Sequence, residues 1–149
     1  MADRSVMDGS LRQATRDDIP AMHRIRLAVR ENKTSGAIRE EDYYCELEVS
    51  GRGWVVEEQQ EIVAFAVGNM ETASIWALFV HPDHEGRGCG RMLHAAVVEW
   101  LFAQGVHRIW LSTAPGTRAQ KFYEAAGWKF QRVLPGGEHY YELHDESAG

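Results

Sequence analysis

Residues 81–91 read HPDHEGRGCGR, in which Gly86, Gly88 and Gly90 alternate with Arg87, Cys89 and Arg91. Glycine lets a backbone approach a ligand closely and adopt positive φ. A loop that follows a strand and opens a helix also aims unbonded helix-start N–H groups, at the positive end of the dipole, toward whatever sits above it. Arg87 and Arg91 add charge that suits phosphate oxygens. This is the chemistry of a diphosphate-sized anion. A plain tight turn is the alternative, but three glycines interleaved with two arginines at a strand-to-helix junction favour a ligand. Two nucleotide motifs are not met. Arg91 stands where the third glycine of G-x-G-x-x-G belongs, and IWLST (109–113) offers no acid for a ribose. A phosphate loop ending G-K-[ST] needs a lysine that is not near this segment.

The elements flanking the loop follow from periodicity. ASIWALFV (73–80) is a nearly unbroken apolar run that predicts a central strand buried on both faces. From Arg91 to Gly105, Leu93, Val97, Trp100 and Leu101 share one stripe of a helix that Gly105 stops. Upstream, SLRQAT reads as a short strand. The stretch 15–32 is an amphipathic helix carrying Ile19, Met22, Ile25, Ala28 and Val29, with Thr15 as N-cap and Asp17 and Asp18 in its first turn. IREEDYYCELEVS is a second helix, closed by SGRG. Residues 53–70 form a hairpin turning at Gln59–Gln60. Downstream come a strand at HRIWLST, a short helix at GTRAQKFYEAAGW stopped by Gly127, and a hairpin over Pro135, Gly136 and Gly137. The order β-α-α-β-β-β-α-β-α-β-β implies an α/β mixed sheet with helices on both faces.

Composition narrows the partners. The 149 residues, 44% hydrophobic and 26% charged, fit one domain over the whole chain. A net charge of −6 argues against a nucleic-acid-binding face and suits a cationic small molecule or a lysine-bearing protein. Cys45 and Cys89 form neither a disulfide framework nor a zinc set. No run reaches the ~18 apolar residues of a membrane span, and the first ten residues lack a signal-peptide core, so a cytoplasmic setting is expected.

VHPDHEGRGCGRML resembles motif A of the GCN5-related N-acetyltransferases, Q/R-x-x-G-x-G/A, and AQKFYEAAGW is similar to that family's A-x-x-x-Y-x-x-x-G-F/W signature. The element order agrees from end to end. Glu85 departs from the usual Gln or Arg without removing a backbone donor.

The resemblance implies an acetyl-CoA-dependent transfer directly to a primary amine, with no metal. In this family the fourth strand splays from the fifth and the pantetheine lies in the gap, which assigns it to the main chain of Leu78, Phe79 and Val80. The diphosphate falls to Gly86, Arg87, Gly88, Cys89, Gly90 and Arg91, with the Cys89 side chain turned inward. Tyr123 takes the family's catalytic tyrosine position. A phenol near pKa 10 can protonate or hydrogen-bond a departing thiolate of pKa about 8.5. Gly116 stands where the family often has a CoA-contacting Asn, and Arg118 offers a phosphate contact instead.

An attacking amine must lose a proton. The fourth-strand Glu used by some members is Ser74 here, which leaves Glu71, His107 or a water chain as bases. Acceptor specificity in the family comes from the first two helices and the final hairpin. In this chain these hold Glu40, Glu41, Asp42, Tyr43 and Tyr44, then Glu138, His139, Tyr140 and Tyr141, which suits an amine-bearing small molecule or the lysine or N-terminal amine of a protein. A non-catalytic acyl-CoA sensor and a dinucleotide binder are the rival readings. An acyl-cysteine route is set aside, since Cys45 lies on the wrong element and Cys89 in the phosphate loop. Trp54, Trp76, Trp110 and Trp128 fit strand positions, and an exposed subset would supply a homodimer face.

Overall fold

The computed structural model describes residues 9–29 and 38–146. Among the described residues, seven strands form one sheet: β1 (Ser10–Gln13), β2 (Gly51–Glu58), β3 (Glu61–Asn69), β4 (Ser74–Val80), β5 (Arg108–Thr113), β6 (Lys129–Val133) and β7 (His139–His144). Four α-helices accompany them among the same residues: α1 (Ile19–Ala28), α2 (Glu40–Glu48), α3 (Cys89–Ala103) and α4 (Arg118–Ala125). The sheet order is β1-β2-β3-β4-β5-β7-β6. Every neighbouring pair is antiparallel except β4 and β5, which run parallel.

Alternation of side chains along the strands divides the core into two layers. On one face, α1 and α2 bring Ile19, Met22, Ile25 and Tyr43 against Val55, Phe65 and Val67. On the other, α3 brings Leu93, Val97 and Leu101 against Val56, Val63 and Ala66, with Tyr123 and Trp128 beside them. Each fully buried aliphatic or aromatic side chain is worth roughly 1.5–3 kcal/mol. The α3 stripe expected from the sequence is therefore the one that attaches this helix to the sheet.

Turn chemistry holds in detail at three places. Gln59 and Gln60 both take positive φ, +52° and +68°, which gives the hairpin a turn whose twist matches its strands. Gly127 at φ +101° ends α4, and the N–H of Trp128 closes the turn on the Tyr123 carbonyl at 3.0 Å. The N–H of Thr15 donates to the Asp18 carboxylate at 2.8 Å, although what Thr15 opens is the 3₁₀ turn Arg16–Asp18 that leads into α1. That helix stops at Ala28, with Val29 extended, and the last residues of its predicted span lie outside the described residues.

Several expectations are corrected. SGRG does not close α2: Gly51 already begins β2, because a Cβ there would run into the carbonyl oxygens of Gly68 and Glu46. β4 is not buried along its length. Ser74, Ile75 and Ala77 are buried, whereas Leu78, Phe79 and Val80 are only partly covered. The strand enclosed on both sides is β3, buried from Val63 to Asn69. Trp128 precedes β6 and is a core residue rather than a strand one. Trp54 packs on Trp100 and Trp110 stacks on Tyr140; these two and Trp76 are half-buried, and Trp128 is buried.

Candidate active site

The partial exposure of β4 has a topological cause. In the pairing of β3 with β4 the register passes from Val67↔Ala77 to Gly68↔Ile75, leaving Trp76 as the extra residue of a bulge. A bulge bends its strand. Among the described residues, β4 and β5 share a single registered pair, Ser74↔Trp110. That narrow end is fastened by the Trp110 N–H on the Ala73 carbonyl at 3.0 Å and by Trp110 Nε1 on the Thr72 carbonyl at 2.9 Å. Beyond it the strands part around a cleft of about 1090 Å³. Leu78, Val80 and Tyr123 line it from the α3 and α4 face, and Trp76, Phe79 and Arg26 from the α1 and α2 face, so the opening runs through the sheet.

One wall is the glycine loop. Gly86 and Gly88 take φ +80° and +88°, and a Cβ added at either would meet nothing within 4 Å. Their glycines are needed for backbone conformation, and the space above them is open. The helix begins two residues earlier than its apolar stripe predicts. With Gly88 as N-cap, the N–H groups of Cys89, Gly90 and Arg91 all lie in its first turn, where a helix has no partners for them. Gly86, Gly88, Cys89, Gly90 and Arg91 line the cleft together, which brings main-chain donors and the positive end of the helix to its wall.

Arg87 is not part of that lining. Its Nη1 donates to Oε1 of Glu58 at 3.2 Å, on the far side of the loop. Glu58, at the end of β2 and only 5% exposed, also meets His84 Nδ1 at 2.9 Å and accepts from the Cys89 thiol at 3.8 Å. One buried carboxylate thus holds both ends of the loop to the core. The Cys89 thiol faces inward as expected. Burial first, then the charge and hydrogen bond of Glu58, push it up to about 11, so it is no nucleophile at neutral pH. Arg118 does not stand ready for a phosphate; it pairs with Glu85 across the mouth of the cleft.

Tyr123 projects from α4, whose N-cap Thr117 accepts from the Gln120 N–H at 3.2 Å and donates to the Ala114 carbonyl at 2.8 Å. The ring is 6% exposed and packs against Phe122 and Trp128, with centroids 5.4 and 5.8 Å away. Among the described residues its hydroxyl has no hydrogen-bond partner, and Tyr123 lines the cleft. Burial pushes the phenol well above its ordinary range, so at neutral pH it is a hydrogen-bond donor. Trp128 is held in turn by His94, whose Nε2 accepts from Trp128 Nε1 at 2.9 Å, and burial lowers the His94 pKa and keeps it neutral.

The acidic and aromatic residues expected to hold an acceptor separate sharply, and Tyr141 falls in the α3 layer. Tyr43 is fully buried and its hydroxyl accepts from Arg26 Nε at 3.0 Å. Tyr44 is exposed under the Arg16 guanidinium. Tyr141 is buried, donating to Glu124 at 2.5 Å, and Tyr140 donates to Glu142 at 3.3 Å. Of the residues named from the sequence for this role, only Glu138 lines the cleft, accepting from Ser112 Oγ at 2.8 Å. Neither Glu71 nor His107 lines it; the Glu71 carboxylate accepts from Ser50 Oγ and His107 is exposed on a loop. The sequence reading missed Glu58, His94 and Trp128 as supports.

Comparison with known proteins agrees with this architecture. Residues 15–128 match the profile of the Acetyltransferase (GNAT) family. The [Ribosomal protein bS18]-alanine N-acetyltransferase of Haemophilus ducreyi is 30% identical over 93 residues, 60% of this chain and 62% of that protein. The chain thus spans less than two thirds of that relative. The structure of the ribosomal-protein-S18-alanine N-acetyltransferase from Escherichia coli superposes with TM-score 0.74 at 19% identity, covering 91% of this chain and 93% of that one. The PaiA N-acetyltransferase from Thermoplasma acidophilum, solved in complex with coenzyme A, gives TM-score 0.74 at 11% identity, covering 92% and 99%. With its split sheet, glycine loop and helix-borne tyrosine, and a profile match over most of its length, the chain belongs to the GNAT acetyltransferase family.

Proposed function

We propose that the protein is an acetyl-CoA-dependent N-acetyltransferase that moves the acetyl group from the CoA thioester directly to a primary amine. The observation that carries this reading is the cleft between β4 and β5, with the glycine loop and the start of α3 on one wall and the hydroxyl-bearing Tyr123 on the same face. Coenzyme A fits the residues present: the diphosphate needs main-chain donors beside open space, which Gly86 and Gly88 leave, and the pantetheine amides need an unpaired strand edge.

In this reading the main chain of Leu78, Phe79 and Val80 pairs with the pantetheine, and the N–H groups of Gly86 through Arg91 hold the diphosphate. Arg87 contributes its backbone, since its side chain is engaged by Glu58. Tyr123 hydrogen-bonds the sulfur as it leaves and supplies its proton. The donor occupies the α3 and α4 face, and the amine approaches from the α1 and α2 face, past Trp76 and Phe79. A peptide N-terminus is the first acceptor to test, because relatives of this chain are named for acetylating an alanine of a ribosomal protein.

The test is release of free thiol from acetyl-CoA in the presence of an alanine-initiated hexapeptide, free amino acids, lysine peptides and polyamines. Turnover on at least one amine, reduced in Tyr123→Phe with unchanged acetyl-CoA affinity, supports the reading. Tight CoA binding with no turnover on any amine would make the protein a sensor, and saturable binding of NAD but not CoA would remove both.

A further inference from the structure

The transfer needs a group to take protons from the amine, and the acceptor side of the cleft contains one carboxylate placed to do so. We infer that Glu138, oriented by Ser112, is the proton acceptor for the incoming amine; this rests on the acetyltransferase reading above.

Three observations carry it. Two carboxylates line the cleft among the described residues, Glu85 and Glu138, and Glu85 is paired with Arg118 at the mouth. Glu138 takes part in no ion pair among the described residues. Second, side chains alternate along β5. Ile109 and Leu111 belong to the core layer under α3, so Ser112 projects to the opposite face, the one that carries Trp76 and Phe79. Its hydroxyl donates to Glu138 Oε1 at 2.8 Å. Tyr123 and Glu138 therefore stand on opposite faces of the split sheet, with the gap between the strands in the middle. Third, the backbone fixes where Glu138 sits. The Leu134 N–H donates to the Glu138 carbonyl at 2.7 Å and the Gly137 N–H to the Leu134 carbonyl at 2.8 Å, closing the turn between β6 and β7. The next residue, His139, is in register with Thr113 of β5.

The ammonium form of the acceptor gives one proton to the Glu138 carboxylate. The freed nitrogen lone pair forms the C–N bond to the thioester carbonyl carbon as the C=O π pair moves onto oxygen. When that pair returns, the C–S bond breaks and its electrons leave on sulfur, which takes the Tyr123 proton. The second proton lost by nitrogen restores the phenol, and Glu138 returns its own to water. The products are an amide and a free thiol.

Other titratable groups lining the cleft are Arg26 from α1, His84 and Glu85 from the loop, Cys89 and Arg91 from α3, and Arg118 and Tyr123 from α4. His139 beside Glu138 is bonded to Gln120 at 3.2 Å.

Glu138→Gln keeps the size of the side chain and its contact with Ser112. With the best amine of the panel above, kcat/KM for the amine should fall about 100-fold at pH 7. The gap should narrow at least tenfold once the pH is about 1.5 units above the pKa of that amine, roughly pH 9.5 for a peptide α-amine of pKa about 8. Acetyl-CoA should raise the melting temperature of the variant as it does that of the wild type. Ser112→Ala should show the same pH signature with a smaller loss. An unchanged profile in Glu138→Gln, or an equal loss at every pH, overturns the assignment while leaving the acetyltransferase reading intact. Acetyl-CoA binding without turnover of any amine by the wild type overturns both.

Discussion

Arg87 turns its guanidinium to Glu58, 3.2 Å away, rather than toward the cleft that the flanking glycines line. The arginine at the centre of the loop is thereby used to fasten it, and in the function proposed above the diphosphate is left to the main-chain N–H groups of the loop and to the start of α3, where Arg91 lines the cleft. Glu58→Ala should unfasten both His84 and Arg87 and leave the Cys89 thiol without its acceptor. The expected loss is about 1–3 kcal/mol in urea unfolding. The acetyl-CoA dissociation constant should rise more than that loss alone explains, as seen by titration at a temperature where the variant is folded.

Gly88 at φ +88° is open on the side where a Cβ would point. Gly88→Ala should therefore lose only about 1–2 kcal/mol of stability, the strain of a left-handed alanine. Its Cβ would enter the space assigned to the diphosphate, so CoA affinity should fall at least tenfold. Equal CoA affinity in wild type and variant would contradict the cradle.

Tyr123→Phe should lower kcat about 100-fold with little change in acetyl-CoA affinity. Stability supplies an independent check. Burial raises the folded-state pKa of this phenol above its unfolded value near 10, so the folded chain holds the proton more tightly. Its contribution is fully present below pH 10 and is lost as the unfolded chain ionises above it. The urea midpoint should drop above pH 10 more steeply in the wild type than in Tyr123→Phe.

His94 predicts the opposite slope at acid pH. Burial depresses its folded-state pKa below the ordinary 6.5, so its contribution is present above pH 6.5 and declines as pH falls below it. His94→Gln, which keeps an acceptor for Trp128 Nε1, should flatten the fall in urea midpoint between pH 7 and 5. An unaltered slope would contradict the buried neutral imidazole.

What could be read in the sequence divides along a physical line. Gly86 and Gly88 were legible because positive φ leaves a signature in residue type, and Tyr123 because of its place in the resemblance to the A-x-x-x-Y-x-x-x-G-F/W signature. Glu58 was not: in WVVEE an acid at the strand end reads as solvent-facing, and although alternation puts it on the face of Val56, only the loop and the start of α3 packed over it bury it. The apolar run of β4 read as core throughout, because a gap between two strands is a property of their divergence rather than of either strand. The start of α3 was placed late, since Cys89 and Gly90 are poor helix formers. Glu138 could be named among several acids but not chosen, because its position depends on the β5–β7 register and on Ser112.

The most direct measurement is a crystal structure with coenzyme A bound. The account predicts the diphosphate on the N–H groups of residues 86–91 and the pantetheine arm between β4 and β5, with its sulfur near Tyr123. Electron density for the ligand anywhere else, or a loop closed over by its own side chains, would contradict it.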